Sequence, residues 1–211
     1  MTRAGVVVLV LCLAGGAWGR SSRVESESRF FTRLSDAALA QTRTAVRYDP
    51  SYRRIPFPGG DVPPNVGVCS DVVIRAYRAL GVDLQLLVHD DMTHAFGRYP
   101  RRWGLRAPDP NIDHRRVPNL ETYLARRGAR RAVSRDPATW APGDLVVWSI
   151  PGDRVGALPT LRGNRPHIGI VTHRRSRDGA RPLVVHNAGL GPRLEDALFA
   201  FPITGHYRFG G

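Results

Sequence analysis

Three side chains decide what chemistry this 211-residue chain can do: one thiol, and two imidazoles far downstream of it. Cys69 opens the run Gly67-Val68-Cys69-Ser70-Asp71-Val72-Val73-Ile74, which reads as the start of a helix. His167 and His186 sit in strand-like runs, His167-Ile168-Gly169-Ile170-Val171 and Val184-Val185-His186-Asn187. A thiol is a good nucleophile only as thiolate, and the unpaired N–H groups and dipole of a helix N-terminus favour negative charge there. Cys69 is therefore expected to have a lowered pKa, and the same N–H groups could stabilise the oxyanion of a tetrahedral intermediate. His167 would serve as base towards the thiol and acid towards a leaving amine. A third group must accept the other ring proton. His186 and Asn187 could each do so, but successive strand residues face opposite sides, so only one of them reaches His167. Taken singly, a free thiol often only fills a core, and a strand histidine beside glycine is often a satisfied structural residue. The order Cys, His, polar residue, each in a fitting element, points to a thiol hydrolase.

The compartment decides what a lone thiol means. Met1-Thr2-Arg3 is a short basic n-region, residues 4–13 an apolar h-region, and Ala17-Trp18-Gly19 a small-x-small site, so residues 1–19 read as a cleaved secretory signal. As a membrane anchor the apolar core falls short of the roughly 20 residues that span a bilayer. Leu11 stands where a lipoprotein signal wants a small residue, so Cys12 leaves with the leader. The mature product is expected in the periplasm or outside the cell, with no stable membrane span and no internal disulfide.

Residues 20–30 read as a loose polar lead-in, and residues 31–211 as a single domain long enough for an adequate core. An apolar fraction of 42% with 8% aromatics is ordinary for a globular protein. The net charge of +13 comes from arginine, for the chain has no lysine, and it favours polyanions such as anionic envelope polymers. Neither a nucleic-acid-binding module nor an aromatic stacking motif accompanies it, so nucleic acid is not an expected partner.

The elements that must hold the three residues follow from periodicity and punctuation. Residues 31–46 carry apolar positions at helical spacing. Prolines and glycines exclude a regular element over 56–64. A helix over 69–80 is stopped by Gly81, and Asn119 reads as the N-cap of a helix over 120–127 ended by Gly128. Pro142-Gly143-Asp144 turns into a strand at 145–148, residues 167–173 and 183–186 form a hairpin, and 203–209 is a last strand. Helices first and an antiparallel sheet afterwards make an α+β domain.

These motifs resemble a known group. Gly-Val-Cys-Ser-Asp opening a helix, then Pro-Gly-Asp-Leu-Val, His-Ile-Gly-Ile-Val and Val-His-Asn, resembles the NlpC-type cell-wall cysteine peptidases, which have a papain-like fold. More closely, Tyr48 to Tyr207 resembles a bacterial family of secreted proteins of the DUF1287 type, a domain of unknown function placed near those peptidases. Its blocks appear as Asp83-Leu84-Gln85, Val88-His89-Asp90-Asp91-Met92, Asn111-Ile112-Asp113-His114-Arg115-Arg116-Val117-Pro118-Asn119 and Gly205-His206-Tyr207-Arg208. The resemblance implies a papain-like domain in which the Cys helix packs on an antiparallel sheet. It implies Cys69 as nucleophile, His167 as base and His186 as orienting third member, with Asn187 the alternative, without cofactor or metal. The implied product is a monomer that cleaves peptide or amide bonds, those of peptidoglycan stem peptides fitting an Arg-rich cleft. Because the Cys helix precedes the His strand, the permuted relatives that act on lipids are disfavoured.

Two positions depart from the peptidase pattern. Phe57 stands before Pro58-Gly59-Gly60 where the peptidases carry an oxyanion-assisting Tyr, and Asp71 follows Cys-Ser where they carry Gly. A carboxylate near the thiol raises its pKa unless neutralised, and Arg75, one helical turn on, is the expected partner. Asp71, Arg115 and Arg116 are the candidate substrate-binding residues, an arginine fork suiting a substrate carboxylate. His89, Asp90, Asp91, Asp113 and His114 are of metal-binding types, but no pair has the spacing of a known motif, and the Asp113-His114-Arg115-Arg116 run reads equally well as a buried salt-bridge network. The competing reading is a papain-like domain without turnover that grips anionic envelope polymers.

Overall fold

The computed structural model describes residues 15–151 and 164–210. Most of the expected leader lies outside them. Helix α1 (Gly15–Gln41) starts well ahead of the expected helix, so the segment taken as a loose lead-in is helical. Between residues 20 and 41 there is no Gly or Pro to interrupt it, and its polar first half shows no apolar stripe, which hid it from the periodicity. Phe31, Leu34 and Ala38, three and four apart, bury one face of its second half.

Two short parallel strands, β1 (Arg47–Tyr48) and β2 (Val66–Gly67), frame the irregular Pro-Gly segment and deliver the chain to helix α2 (Cys69–Arg78). Val72, Val73, Ile74, Ala76 and Tyr77 of α2 are all buried, and Gly81 supplies the expected stop with φ +84°. Helix α3 (Leu84–Ala95), which periodicity did not pick out, is capped by Asp83, whose carboxylate accepts the Gln85 N–H at 2.9 Å. Helix α4 (Val117–Arg126) begins earlier than expected. Pro118 occupies its first turn, where the fixed φ fits and no donor is missed, so Asn119 is not the cap but donates its side-chain amide to the Asp113 carbonyl at 3.1 Å.

Strands β3 (Leu145–Ile150), β4 (Arg165–Arg175), β5 (Pro182–His186), β6 (Arg193–Glu195) and β7 (Ile203–Tyr207) form an antiparallel sheet of order β6-β5-β4-β3-β7. Helices α1, α2 and α4 pack on β4, where Val147, Ile168, Ile170 and Val185 meet Val72, Val73, Tyr77 and Leu120. The opposite face is covered by a smaller cluster, Trp140, Val146, Trp148, Ile150, Val171, Val184 and Leu198. Burial on both faces explains why Leu145-Val146-Val147-Trp148 does not alternate. The architecture is the expected α+β arrangement, with the Cys helix packed on an antiparallel sheet. Among the described residues no helix is long and apolar enough to cross a membrane.

Gly169 shows how tightly the sheet is packed at its functional end. A Cβ there would come within 2.7 Å of Val184 Cγ1 and 3.1 Å of both the His186 Cβ and the Trp148 ring. Gly169→Ala is therefore expected to lower stability by about 1–3 kcal/mol, read from the urea midpoint. An unchanged midpoint would mean that the neighbours yield without strain.

Candidate active site

Cys69 is the first residue of α2, and Val68 is its extended N-cap. The side chain of Asp71 reaches back to accept the Val68 N–H at 2.7 Å, fixing the entry of the chain into the helix. Strand β5 ends opposite Gly169, and the next residue, Asn187, turns away to donate to the Gly67 carbonyl at 3.4 Å. Residues 167 and 168 of β4 thus extend past the end of β5. There the Ile168 N–H lies near the Cys69 sulfur, and it and the N–H groups of Ser70 and of Cys69 itself favour the charged form of the thiol. The thiol comes to rest beside the backbone that carries His167.

The expected drop in thiol pKa is overturned. Cys69 is 5% exposed, and burial pushes its pKa up to about 11, with the charge of Asp71 adding to the rise and the three N–H groups offsetting part of it. Sequence spacing reveals a helix start but not how deeply that start is sunk into apolar packing. At rest the proton stays on sulfur.

His167 is 2% exposed. Its Nε2 lies 2.9 Å from Nδ1 of His186. Of the two candidates for third member, the structure therefore brings His186 to His167 and holds Asn187 elsewhere, its Oδ1 accepting the Gly189 N–H. Trp148 stacks on His167 at 5.6 Å between ring centres and tilts against His186 at 5.5 Å. Its own N–H is satisfied by the Leu198 carbonyl at 3.0 Å. The side chain of Gly169 that is not there leaves room for both rings. Burial and then the charge of His186 hold His167 down at about 3, so its imidazole is neutral at ordinary pH.

Asp71 and Arg115 do not line a groove. Nε and Nη2 of Arg115 lie 2.8 and 2.9 Å from the two Asp71 oxygens, and both side chains are buried. The Arg115 guanidinium also donates to the carbonyls of Asp49 and Ser51, both at 3.4 Å, while the Arg115 carbonyl accepts the Ser70 hydroxyl at 2.6 Å. The partner of Asp71 is thus Arg115 and not Arg75, which is taken by Asp61 and by the carbonyls of Val62, Pro63 and Val66. Arg116 pairs with Asp113 at 2.8 Å and lies over the Trp103 ring. The substrate-binding expectation for Asp71, Arg115 and Arg116 gives way to the buried network that the same run also suggested. A single sequence does not show which charges will be desolvated together.

Sequence reasoning overlooked a tyrosine whose phenol is close enough to the thiol to feel its charge. The Phe57 ring packs edge-on against His89. The Tyr48 phenol is instead the one whose pKa is raised by burial and next by the charge of Cys69, with Arg165 opposing. Tyr48 belongs to the two-residue strand paired with Val66 and Gly67, the run that enters Cys69, a pairing too short to show in the sequence.

The family described as "Domain of unknown function (DUF1287)" matches residues 35–209. The uncharacterized protein YijF of Escherichia coli (strain K12) is 47% identical over 176 residues, covering 83% of this chain and 80% of its own. Two solved structures, NlpC1 and NlpC2 from Trichomonas vaginalis, align over 85% of this chain at 14% and 13% identity with TM-scores of 0.43 and 0.44. This chain spans 44% and 46% of their lengths.

Two outcomes follow for stability. Arg115→Met leaves a buried carboxylate without its partner and is expected to cost about 3–5 kcal/mol. Arg181→Met, which removes exposed pairs with Asp178 and Asp196, should move the midpoint far less. Equal urea midpoints for the two variants would contradict the assignment. The second outcome concerns pH. Burial holds His114 down at about 4, against 6.5 in an unfolded chain. Below pH 6.5 the unfolded state binds the proton that the folded state refuses, so the stability His114 contributes is complete above pH 6.5 and is lost as pH falls towards 4, on the order of 3 kcal/mol. Asp113 and Glu121, raised by burial, act in the opposite sense. The clean measurement is therefore the difference between wild type and His114→Gln in urea at pH 7.5 and 4.5, with a shallower pH dependence expected for the variant.

Proposed function

We propose, from the premise that this chain belongs to the DUF1287 family, that it is a secreted thiol hydrolase of papain-like fold that cleaves peptide or amide bonds in peptidoglycan stem peptides. The observation that carries this reading is a single juxtaposition: the Cys69 sulfur lies near the Ile168 N–H, one residue from a His167 whose Nε2 is 2.9 Å from Nδ1 of His186. That bond leaves Nδ1 as the His167 nitrogen that would take the thiol proton.

The chemistry runs through this chain's own groups. As the sulfur attacks the carbonyl carbon, its proton passes to Nδ1 of His167, and the C=O electrons move onto oxygen. Donors at the start of α2 and the Tyr48 hydroxyl would receive that oxyanion. Collapse expels the amine with the proton from His167, and water then cleaves the thioester with the same base. Arg165, whose charge is felt at Tyr48, adds to the positive field around the site. The net charge of +13 favours an anionic polymer as the surroundings, and the leader-like residues 1–19 support export.

One observation favours a second reading, a domain that binds the same polymer without turnover: the thiol is buried and its pKa is raised, not lowered. Incubating purified peptidoglycan and a synthetic stem tetrapeptide with wild type, Cys69→Ala and His167→Ala, and weighing the soluble products by mass spectrometry, separates the two. Hydrolysis predicts peptide release by wild type, none above background for Cys69→Ala and a loss of about 100-fold or more for His167→Ala. Retention on the polymer by wild type and Cys69→Ala alike, with no release, would establish the binding reading instead.

A further inference from the structure

Strand β6 is three residues long and lies at the edge of the sheet, yet it carries a carboxylate to the histidine pair. In register, Gly169 of β4 faces His186 of β5, and Val184 of β5 faces Glu195 of β6. Because side chains two residues apart share a face, His167, His186 and Glu195 run diagonally across three neighbouring strands on the face that holds Trp148. Oε2 of Glu195 lies 2.9 Å from Nε2 of His186. It stands off the axis of the ring N–H, so the contact is an ion pair in form, and a small rotation of this half-exposed glutamate would align it.

The direction of one proton gives that carboxylate its meaning. The hydrogen bond between His167 Nε2 and His186 Nδ1 can be made in two ways. If His167 donates, its Nδ1 carries a lone pair and can act as a base. If His186 donates, Nδ1 of His167 carries a hydrogen and cannot. The two neutral tautomers of an imidazole are close in energy, so the partner of its far nitrogen decides between them. A carboxylate at Nε2 of His186 holds the proton there and leaves Nδ1 as the acceptor.

We propose that Glu195 is a positioning residue that selects the Nε2–H tautomer of His186 and thereby keeps His167 in its basic form, making the device a four-membered Cys69, His167, His186, Glu195 chain. This rests on the thiol-hydrolase reading for its effect on rate, though not for its effect on the tautomer. Other charges around His186 do not replace Glu195: Arg193, paired with His186 across β5 and β6, and Arg165, two residues before His167 on β4, both bear positive charge.

The test uses the full chain with 15N-labelled histidine and the isosteric variant Glu195→Gln, which keeps the shape and removes the charge. Long-range 1H–15N spectra at pH 7.5 should show His186 protonated at Nε2 in wild type and redistributed towards Nδ1 in the variant, with kcat on the stem tetrapeptide down about 10- to 100-fold, KM within about twofold and the thermal midpoint nearly unchanged. Glu195→Asp, which restores the charge on a shorter arm, should recover part of the tautomer and of the rate. An unchanged His186 tautomer in Glu195→Gln overturns the proposal, whether or not peptide is cleaved. A wild type that cleaves nothing yet shows the expected shift overturns the hydrolase reading and leaves the tautomer role standing.

Discussion

The buried pair of Asp71 and Arg115 is the constraint on which the site depends, because three separate pieces of chain meet at it. Asp71 caps the helix that begins with Cys69. Arg115 comes from the short turn before α4, and its remaining donors hold the carbonyls of Asp49 and Ser51, just beyond Tyr48. Nothing else described in the fold ties the tyrosine strand, the thiol and the α3–α4 side together at one point. A buried ion pair is not in itself a gain over apolar packing. Its value here is geometric: with two oxygens and five guanidinium donors nearly all engaged, the first turn of α2 has one arrangement, and the sulfur one position.

That rigidity matters because both reacting groups are buried. Burial disfavours charge on sulfur and on imidazole alike, so the resting pair is thiol and neutral base. A charged thiolate–imidazolium pair would need either more solvent or stronger compensation than three N–H groups provide. In the proposed hydrolysis the proton transfer would accordingly be tied to attack, as the oxyanion forms. Low polarity raises the barrier to separating charge and also magnifies each compensating dipole. For this reason the tautomer of His186 carries more weight here than it would in a solvated site.

Much of this was legible beforehand, for definable reasons. Cys69 as a helix start, β3 and the hairpin of β4 and β5 all announce themselves by apolar runs bounded by Gly, Pro or polar turns, and the structure has them within a few residues. The pairing of His167 with His186 and not Asn187 follows from strand parity once the register is known. Less was readable where the signal lies between distant segments. α3 has apolar residues scattered around its circumference, β6 is three residues long, and the first half of α1 has few apolar residues and no stripe. The partner of Asp71 is 44 positions away and not four, and Tyr48 comes near the thiol through a strand of only two residues.

The absence of lysine acquires a structural sense at Arg115. A lysine there would bring one ammonium and could meet Asp71, but its three hydrogens diverge from a single nitrogen. The carboxylate would keep a partner while the carbonyls of Asp49 and Ser51 lost theirs. The planar fork serves two carboxylate oxygens on one edge and backbone carbonyls on the other, and it sheds water more readily than an ammonium does. If a compositional drift towards arginine built this chain, it also made available the side chain that can be sunk beside a thiol, hold a helix start and a neighbouring strand together, and still leave Asp71 neutralised.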